Sequence, residues 1–458
     1  MEDVVLSPSQ QAVIDAFPGF LLSDDKEMTI SGPAGTGKTF LVQQLTQLAP
    51  AQQKIVELLD PKIAKREFTY TATTNKAAEV LRGTLNKPTS TIHKTLGLRV
   101  QNDYTTGKQV LVPHTPPEAL SHRVIFVDEA SMINDQLAGA IRDAMKKWKD
   151  CKLVFIGDKY QLPPVKEDIC SVFRPGAPNV HELVEIQRQA KDSPIIQLAT
   201  QYRELLDAPS ETWPEIRSDH NAIFKYADKA QYLDAIRGAY SASHDPDDLR
   251  IVAWSNQRVH NYNNWIRTKV LGHEERYVPG DLVTTNKPLF MQKKMFAPTD
   301  YRLEIESVRY GVDHIENHEV DGWWITFTEF QATDTWEGQP AVFQPRDELQ
   351  VKRISNAFAK DKNWGPYFRM KDEWADLRPV HACTVHKAQG STYRKVFVDM
   401  DDIGRNTRWR DLVRLLYVAI TRASHEVHIY GDISINHEVR KAEDTLEAFA
   451  NVQRLLQH

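Results

Sequence analysis

Apolar positions in the first 160 or so residues fall into short unbroken runs that alternate with longer runs at helical spacing. Met28–Ser31 is followed by Phe40–Leu48, Glu67–Thr73 by Lys76–Leu81, and Val124–Asp128 by Leu137–Trp148, with Leu153–Asp158 closing the series. This strand-helix alternation predicts a doubly wound parallel sheet, because parallel neighbours need a crossover between them. Between Leu98 and Val112 the pattern changes. Leu98 and Val100 alternate on one side of Thr106-Gly107, and Val110 and Val112 on the other. That predicts a β-hairpin projecting from the sheet.

Strand-like runs return at Ile251–Asn256, His381–Val385, Val396–Met400 and Val427–Asp432, with a helical run at Arg410–Ala419. They predict a second α/β domain interrupted by an insertion. The insertion opens with Val278-Pro-Gly-Asp-Leu-Val283 and places Trp323, Ile325 and Phe327 on one face of an alternating run, which predicts a small antiparallel barrel. Its last part, Val351–Lys371, is helical and then aromatic-rich. The expected organisation is therefore α/β: a first parallel-sheet domain over 1–190 with a hairpin at about 95–113, a second over 191–275 and 372–458, and a barrel-type insertion with a helical extension over 276–371. The pattern shows no internal repeat.

The 458 residues allow two or three domains, and 26% charged with 41% hydrophobic residues is the composition of a globular protein. Mean hydropathy is −0.49, and no apolar run approaches the roughly 18 residues of a membrane span. A cytoplasmic protein with no membrane partner is expected. Lysine plus arginine number 57 against 62 acidic residues, for a formal charge of −5, so any nucleic-acid contact must be local. Cys151, Cys170 and Cys383 form no CxxC pair and are expected to be buried thiols. His381, Cys383 and His386 suggest a metal cluster, but on a strand His386 would face away from the other two.

Gly32-Pro33-Ala34-Gly35-Thr36-Gly37-Lys38-Thr39 matches the phosphate-loop pattern GxxxxGK[ST] between an expected strand and helix. The glycines let backbone N–H groups turn toward phosphates, Lys38 reaches the outer phosphates, and Thr39 offers a hydroxyl to magnesium. Val124-Ile-Phe-Val-Asp-Glu129 adds a strand that ends in two carboxylates at the sheet's C-terminal edge, where ligands bind. Asp128 is placed to hold magnesium, and Glu129 to orient or deprotonate water. Together these residues indicate a magnesium-dependent nucleoside triphosphatase.

Further strings follow in order: Leu6-Ser-Pro-Ser-Gln10, Thr71-Ala-Thr-Thr-Asn-Lys-Ala-Ala78, Ser90-Thr-Ile-His93, Asp128-Glu-Ala-Ser131, Gly157-Asp-Lys-Tyr-Gln-Leu-Pro-Pro164, Glu185-Ile-Gln-Arg188, Trp254-Ser-Asn256, Thr384-Val-His-Lys-Ala-Gln-Gly-Ser391 and Tyr417-Val-Ala-Ile-Thr-Arg-Ala423. In order and spacing the set resembles superfamily 1 DNA helicases of the RecD-like branch, nearest to its Dda-like members. The resemblance implies two RecA-like motor domains, a hairpin that serves as a strand-separating pin, and 5′ to 3′ movement along single-stranded DNA. It also implies unwinding of duplex DNA in replication or recombination, by a monomer that meets duplex junctions and replication or single-strand-binding proteins.

Carried over by position, Gln10 resembles the adenine-reading glutamine, Gln161 the γ-phosphate sensor, and Arg188 and Arg422 two arginine fingers, while Gly390 faces the nucleotide. Fingers of this kind contribute about 10³ to 10⁵ in rate. For the DNA path the resemblance points to Thr73, Asn75, Thr91, His93, Asn256, Thr384 and His386, groups that hold backbone without reading sequence. Pro164 offers a rigid surface for a base, and Tyr104, the one aromatic at the hairpin tip, is placed to stack on the last base pair. The competing function is a non-motor phosphate-loop NTPase or kinase, which would need no arginine motif near residue 422. A helicase-nuclease would need a further carboxylate cluster, for which no domain remains.

Overall fold

The computed structural model describes residues 5–61, 63, 65–113, 121–164, 167–187, 192–208, 213–243, 245, 248–291, 294–329 and 341–433. The chain forms two compact units. One comprises residues 1–97, 115–262 and 382–458, the other 98–114 and 263–381. Sequence patterning put the hairpin with the first domain. The structure groups it with the second unit, whose span is also wider than the expected insertion, because the hairpin packs against a helix of that unit.

The first unit holds two all-parallel sheets. The order in one is Thr89–Thr91, Glu67–Ala72, Arg123–Asp128, Cys151–Gly157, Glu27–Ser31, Val180–Glu182. The order in the other is Ala382–Thr384, Leu249–Ala253, Tyr393–Asp399, Ala423–Tyr430, Ile223–Tyr226. The inner strands of both are largely apolar, as strands covered on both faces require. Strand Cys151–Gly157 is buried at every position. The edge strands Val180–Glu182 and Ile223–Tyr226 escaped the pattern because each is only three or four residues long.

Helix Pro8–Leu22 starts where Ser7 and Gln10 cap each other reciprocally and Pro8 fills the first turn. Val13, Phe17, Phe20 and Leu21 repeat at helical spacing and pack on Phe126 and Ile30 of the first sheet. Its far end is tied down by Lys152, 2% exposed, whose ammonium donates to the carbonyls of Phe20, Ser23 and Asp25 at 2.8, 2.5 and 2.7 Å. A cation at a helix C-terminus meets the negative end of the dipole. In the second sheet's layer, helix Trp409–Thr421 is buried on nearly all sides and packs with helix Pro194–Asp207 through Leu412, Leu416 and Tyr202.

The second unit is built on an antiparallel sheet ordered Val342–Pro345, His318–Phe327, Arg302–Ile315, Leu282–Thr285, Leu377–Pro379. Its two end strands come together where Ala375 N–H donates to Phe343 O at 2.7 Å and Leu377 N–H to Gln344 Oε1 at 2.8 Å. Ile325 and Phe327 are buried in its core with Trp323 packed against them. Helices Glu348–Lys360 and Trp364–Glu373 follow. Lys287 Nζ caps the second of these at Met370 O and Lys371 O, 3.3 and 2.5 Å away.

Hairpin strands Leu98–Asn102 and Gln109–Pro113 pair in register, Leu98 with Pro113 and Asn102 with Gln109. The turn closes through Asp103, whose carboxylate accepts from Thr105 N–H at 2.8 Å and Thr106 Oγ1 at 2.5 Å. Gly107 takes the left-handed conformation, φ 70°, and a Cβ there would overlap the Trp364 ring. Tyr104 sets its ring 5.1 Å from Phe368 in an edge-on pair, and Asn102 Nδ2 donates to Asp372 Oδ2 at 2.7 Å. The hairpin is thus docked on helix Trp364–Glu373. Cys151 and Cys170 are buried, whereas Cys383 is half-buried, at a sheet edge. The face argument applied to His386 fails as geometry, since the strand ends at Thr384 and His386 lies on a helical turn. Among the described residues no group of acidic, histidine or cysteine side chains could hold a metal by itself, and no helix is long and apolar enough to cross a membrane.

Candidate nucleotide and nucleic-acid site

The phosphate loop joins strand Glu27–Ser31 to helix Lys38–Leu59 at the C-terminal edge of the first sheet. Gly35 and Gly37 have φ of 83° and 75°, which only glycine adopts without strain. A Cβ on Gly37 would lie 2.7 Å from Gln10 Nε2, so the glycine also admits Gln10, which is fully buried and donates to Thr36 O at 3.0 Å. Thr36 Oγ1 donates to Pro33 O at 2.8 Å. Gln187 N–H donates to Gly35 O at 2.9 Å, closing the loop's outer side. Lys38 Nζ donates to Gly32 O and Pro33 O, 2.7 and 3.1 Å away. Thr39 is half-buried in the first helical turn.

Strand Arg123–Asp128 ends beside this loop. Burial, then the neighbouring Glu129 charge, pushes the Asp128 carboxyl up to about 7, against the pull of the Glu129 N–H and of Lys38. Glu129 sits at φ 53°, a left-handed conformation that costs a non-glycine residue about 1 kcal/mol. Thr73 braces that turn, its N–H donating to Asp128 O at 3.2 Å and its hydroxyl to Glu129 O at 3.1 Å. Glu129 Oε2 is buried without a hydrogen-bond partner among the described residues. An unsatisfied buried carboxylate oxygen beside a second carboxylate is a site that gains from a cation or a polarised water. The paired carboxylates of Asp128 and Glu129 therefore have the chemistry to accept a divalent cation.

Residues of the second sheet's layer reach this edge. Tyr417 OH accepts from Ala34 N–H at 2.8 Å and donates to Asp158 Oδ2 at 2.6 Å. Gln389 Nε2 donates to Gln161 Oε1 at 3.3 Å and Leu162 O at 3.1 Å. Gly390, φ 72°, comes so close that a Cβ there would lie 3.5 Å from Thr74 Oγ1 and 4.0 Å from Glu129 Cγ. Arg422 is 6% exposed at the end of helix Trp409–Thr421 and donates to Val418 O, Ser391 O and Thr421 Oγ1 at 3.2, 3.0 and 3.2 Å. Its guanidinium is thus engaged within its own layer. Arg188 lies outside the described residues.

Thr91-Ile-His-Lys94 and Thr384-Val-His-Lys387 take one form, a similarity the sequence reading missed. Each threonine ends an edge strand and caps a single helical turn, accepting from the N–H of Lys94 at 3.2 Å and of Lys387 at 3.3 Å. His93 and His386 follow, both half-buried, and burial holds both imidazoles below their ordinary range, with the Asp411 charge opposing at His386. Asn75 and Asn256 are exposed at helix starts. Asp402, which no motif singled out, accepts from Trp254 N–H, Ser255 N–H and Ser255 Oγ at 2.9, 2.7 and 2.8 Å and so fixes the turn before Asn256. Pro164 is half-buried. Tyr104 belongs to the other unit, where its ring remains 61% exposed despite Phe368.

A model described as an AAA domain matches residues 5–208, and one described as a UvrD-like helicase C-terminal domain matches 379–430. The chain is 24% identical over 437 residues to the ATP-dependent DNA helicase dda of Enterobacteria phage T4, covering 87% of this chain and 93% of that protein. It is 27% identical over 454 residues to the ATP-dependent DNA helicase Pif1 of Bdellovibrio bacteriovorus, covering 94% and 89%. A crystal structure of Pif1 helicase from Bacteroides in complex with ADP-AlF3 and ssDNA aligns over 98% of each chain with a TM-score of 0.44 and 13% identity.

Proposed function

We propose that this chain, homologous to the Dda, Pif1 and RecD helicases, is an ATP-dependent DNA helicase that moves along single-stranded DNA and separates duplex at junctions. The observation that carries the proposal is the meeting of two parallel-sheet layers at one nucleotide edge: Tyr417 on Ala34, and Gly390 over Glu129. A kinase or simple NTPase completes its site within one layer. In a motor the second layer must respond to the nucleotide, and these contacts supply the means. The two layers are read as RecA-like motor domains, 5′ to 3′ in polarity.

In this reading Lys38 leaves the carbonyls of Gly32 and Pro33 for the outer phosphates, and Gln10 faces the adenine. Asp128 and Thr39 would hold magnesium, which when bound would neutralise phosphate charge. Glu129, with its unpartnered Oε2, takes the proton of the attacking water. Gln161 senses the γ-phosphate, and Arg422 and Arg188 stabilise charge on the transferred group, Arg422 by exchanging its carbonyl partners for phosphate oxygens. Thr73, Asn75, Thr91 and His93 face DNA from one layer and Asn256, Thr384 and His386 from the other, with Pro164 beneath a base. Neutral imidazoles add no net attraction, so DNA affinity depends on hydrogen bonds and on cations elsewhere.

The test compares ATP hydrolysis with and without oligo(dT), and unwinding of 5′-tailed with 3′-tailed duplexes. Hydrolysis stimulated by single strands and unwinding confined to 5′-tailed substrates are expected. Hydrolysis indifferent to DNA would instead assign a non-motor NTPase, and unwinding from 3′ tails alone would reverse the polarity.

A further inference from the structure

Tyr417 is 1% exposed within helix Trp409–Thr421, so its ring has a single packed orientation. Its hydroxyl meets two groups distant in sequence, accepting from Ala34 N–H at 2.8 Å and donating to Asp158 Oδ2 at 2.6 Å. One oxygen thereby joins the phosphate loop, the end of strand Cys151–Gly157 and the helix that leads to Arg422 five residues on. Asp158 is itself held: it is fully buried, its Oδ1 accepts from Tyr160 N–H at 2.9 Å, and its carbonyl accepts from Gln161 N–H at 3.1 Å. Asp158 is therefore a fixed post, and the tyrosine sets the distance from it to Ala34.

We infer that Tyr417 is a positioning residue for ATP hydrolysis, whose hydroxyl sets the phosphate loop against Asp158 and against the helix that carries Arg422. The inference rests on the nucleotide-site reading above. If the two hydrogen bonds meet at a near-tetrahedral angle, the Ala34 nitrogen and the Asp158 oxygen lie roughly 4.4 Å apart. Without the hydroxyl, pairing them directly draws the loop inward by about 1.5 Å, and leaving them apart strands a part-buried donor and a buried carboxylate oxygen. A displacement near 1 Å of a group that orients reactants can cost about 10²-fold in rate. Nucleotide affinity should change less, since Lys38 and the other loop N–H groups remain.

The test is Tyr417→Phe in the full chain, which keeps the ring and removes one oxygen. The steady-state kcat for oligo(dT)-stimulated ATP hydrolysis should fall about 10- to 100-fold, with KM for ATP within about threefold of wild type. A hydroxyl that served stability alone would lower the melting temperature and leave kcat in place. Asp158→Asn should give the same kcat-weighted loss, and the double variant should be no slower than the slower single one, because both changes break one chain of contacts. If Tyr417→Phe does not fold, the Asp158→Asn kinetics carry the test. A kcat within twofold of wild type, or a change in KM alone, overturns the inference. Wild-type protein that hydrolyses no ATP in the presence of oligo(dT) would instead overturn the nucleotide-site reading.

Discussion

The hairpin is the part of the molecule where one atom should change one activity and spare the rest, and Gly107→Ala adds that atom. Two costs arise at Gly107. Its φ of 70° costs an alanine about 1 kcal/mol, and the new methyl overlaps the Trp364 ring, so either the ring or the turn must leave. Losing the dock also releases the Tyr104–Phe368 ring pair, worth about 0.5–1.5 kcal/mol, and exposes the Asn102–Asp372 hydrogen bond to competition from water, roughly another 1 kcal/mol. The backbone cost falls on docked and free hairpin alike, so the balance between them shifts by the two lost contacts, about 2 kcal/mol or roughly 30-fold. If the hairpin is the strand-separating pin that the resemblance implies, single-turnover unwinding of a 5′-tailed duplex should slow several-fold or more, because a free hairpin gives way when the duplex pushes on it. Translocation on single strands and the accompanying hydrolysis should stay within about twofold, since the nucleotide edge is built from other residues. A Trp364→Ala background sharpens the test: with the ring gone the methyl has room, and Gly107→Ala should add little beyond its backbone cost. Unwinding at the wild-type rate, or parallel loss of unwinding and translocation, would show that the docked hairpin has no separate part in strand separation.

Lys38→Ala should cut hydrolysis to background while nucleotide-free binding to oligo(dT), followed by fluorescence anisotropy, stays near wild type; equal loss of both would mean that the two sites are not separate. Glu129→Gln should still bind ATP yet stop turnover, because the amide keeps the shape of a side chain whose Oε2 lies buried and unpartnered but takes no proton; active variant enzyme would place the base elsewhere. Arg422→Ala should lower kcat far more than nucleotide affinity, and a purely KM effect would contradict a role in the transition state. Lys152→Met removes an ammonium that satisfies three carbonyls at a helix end, costing about 2–4 kcal/mol, so the melting temperature should drop by several degrees; an unchanged melting curve would show that water replaces the ammonium freely.

Much of the first unit was legible in the sequence because its signals are local. The strand before Gly32, the helix from Lys38 and the strand ending at Asp128 each carry an apolar run, and the glycines of the phosphate loop sit where a left-handed turn demands them. The hairpin was legible for the same reason, since alternation and Gly107 specify a turn without help from the rest of the chain. Helix lengths were not: the one from Lys38 runs to Leu59, past Pro50 and a polar stretch that weakens the pattern. The short edge strands Val180–Glu182 and Ile223–Tyr226 were lost, although Ala382–Thr384, equally short, was marked by its run. Tertiary structure alone decided what each element touches. Tyr104 looks like a free aromatic at a tip until Phe368, more than 260 residues later, is placed against its ring. Nothing near Tyr417 reveals Ala34, 383 residues away, and nothing near Asp402 reveals the N–H groups of Trp254 and Ser255 that it holds. Sequence periodicity reports which face of an element is buried, because burial follows from the chain's own repeat. The identity of the partner depends on how the chain returns on itself, and no local pattern encodes that.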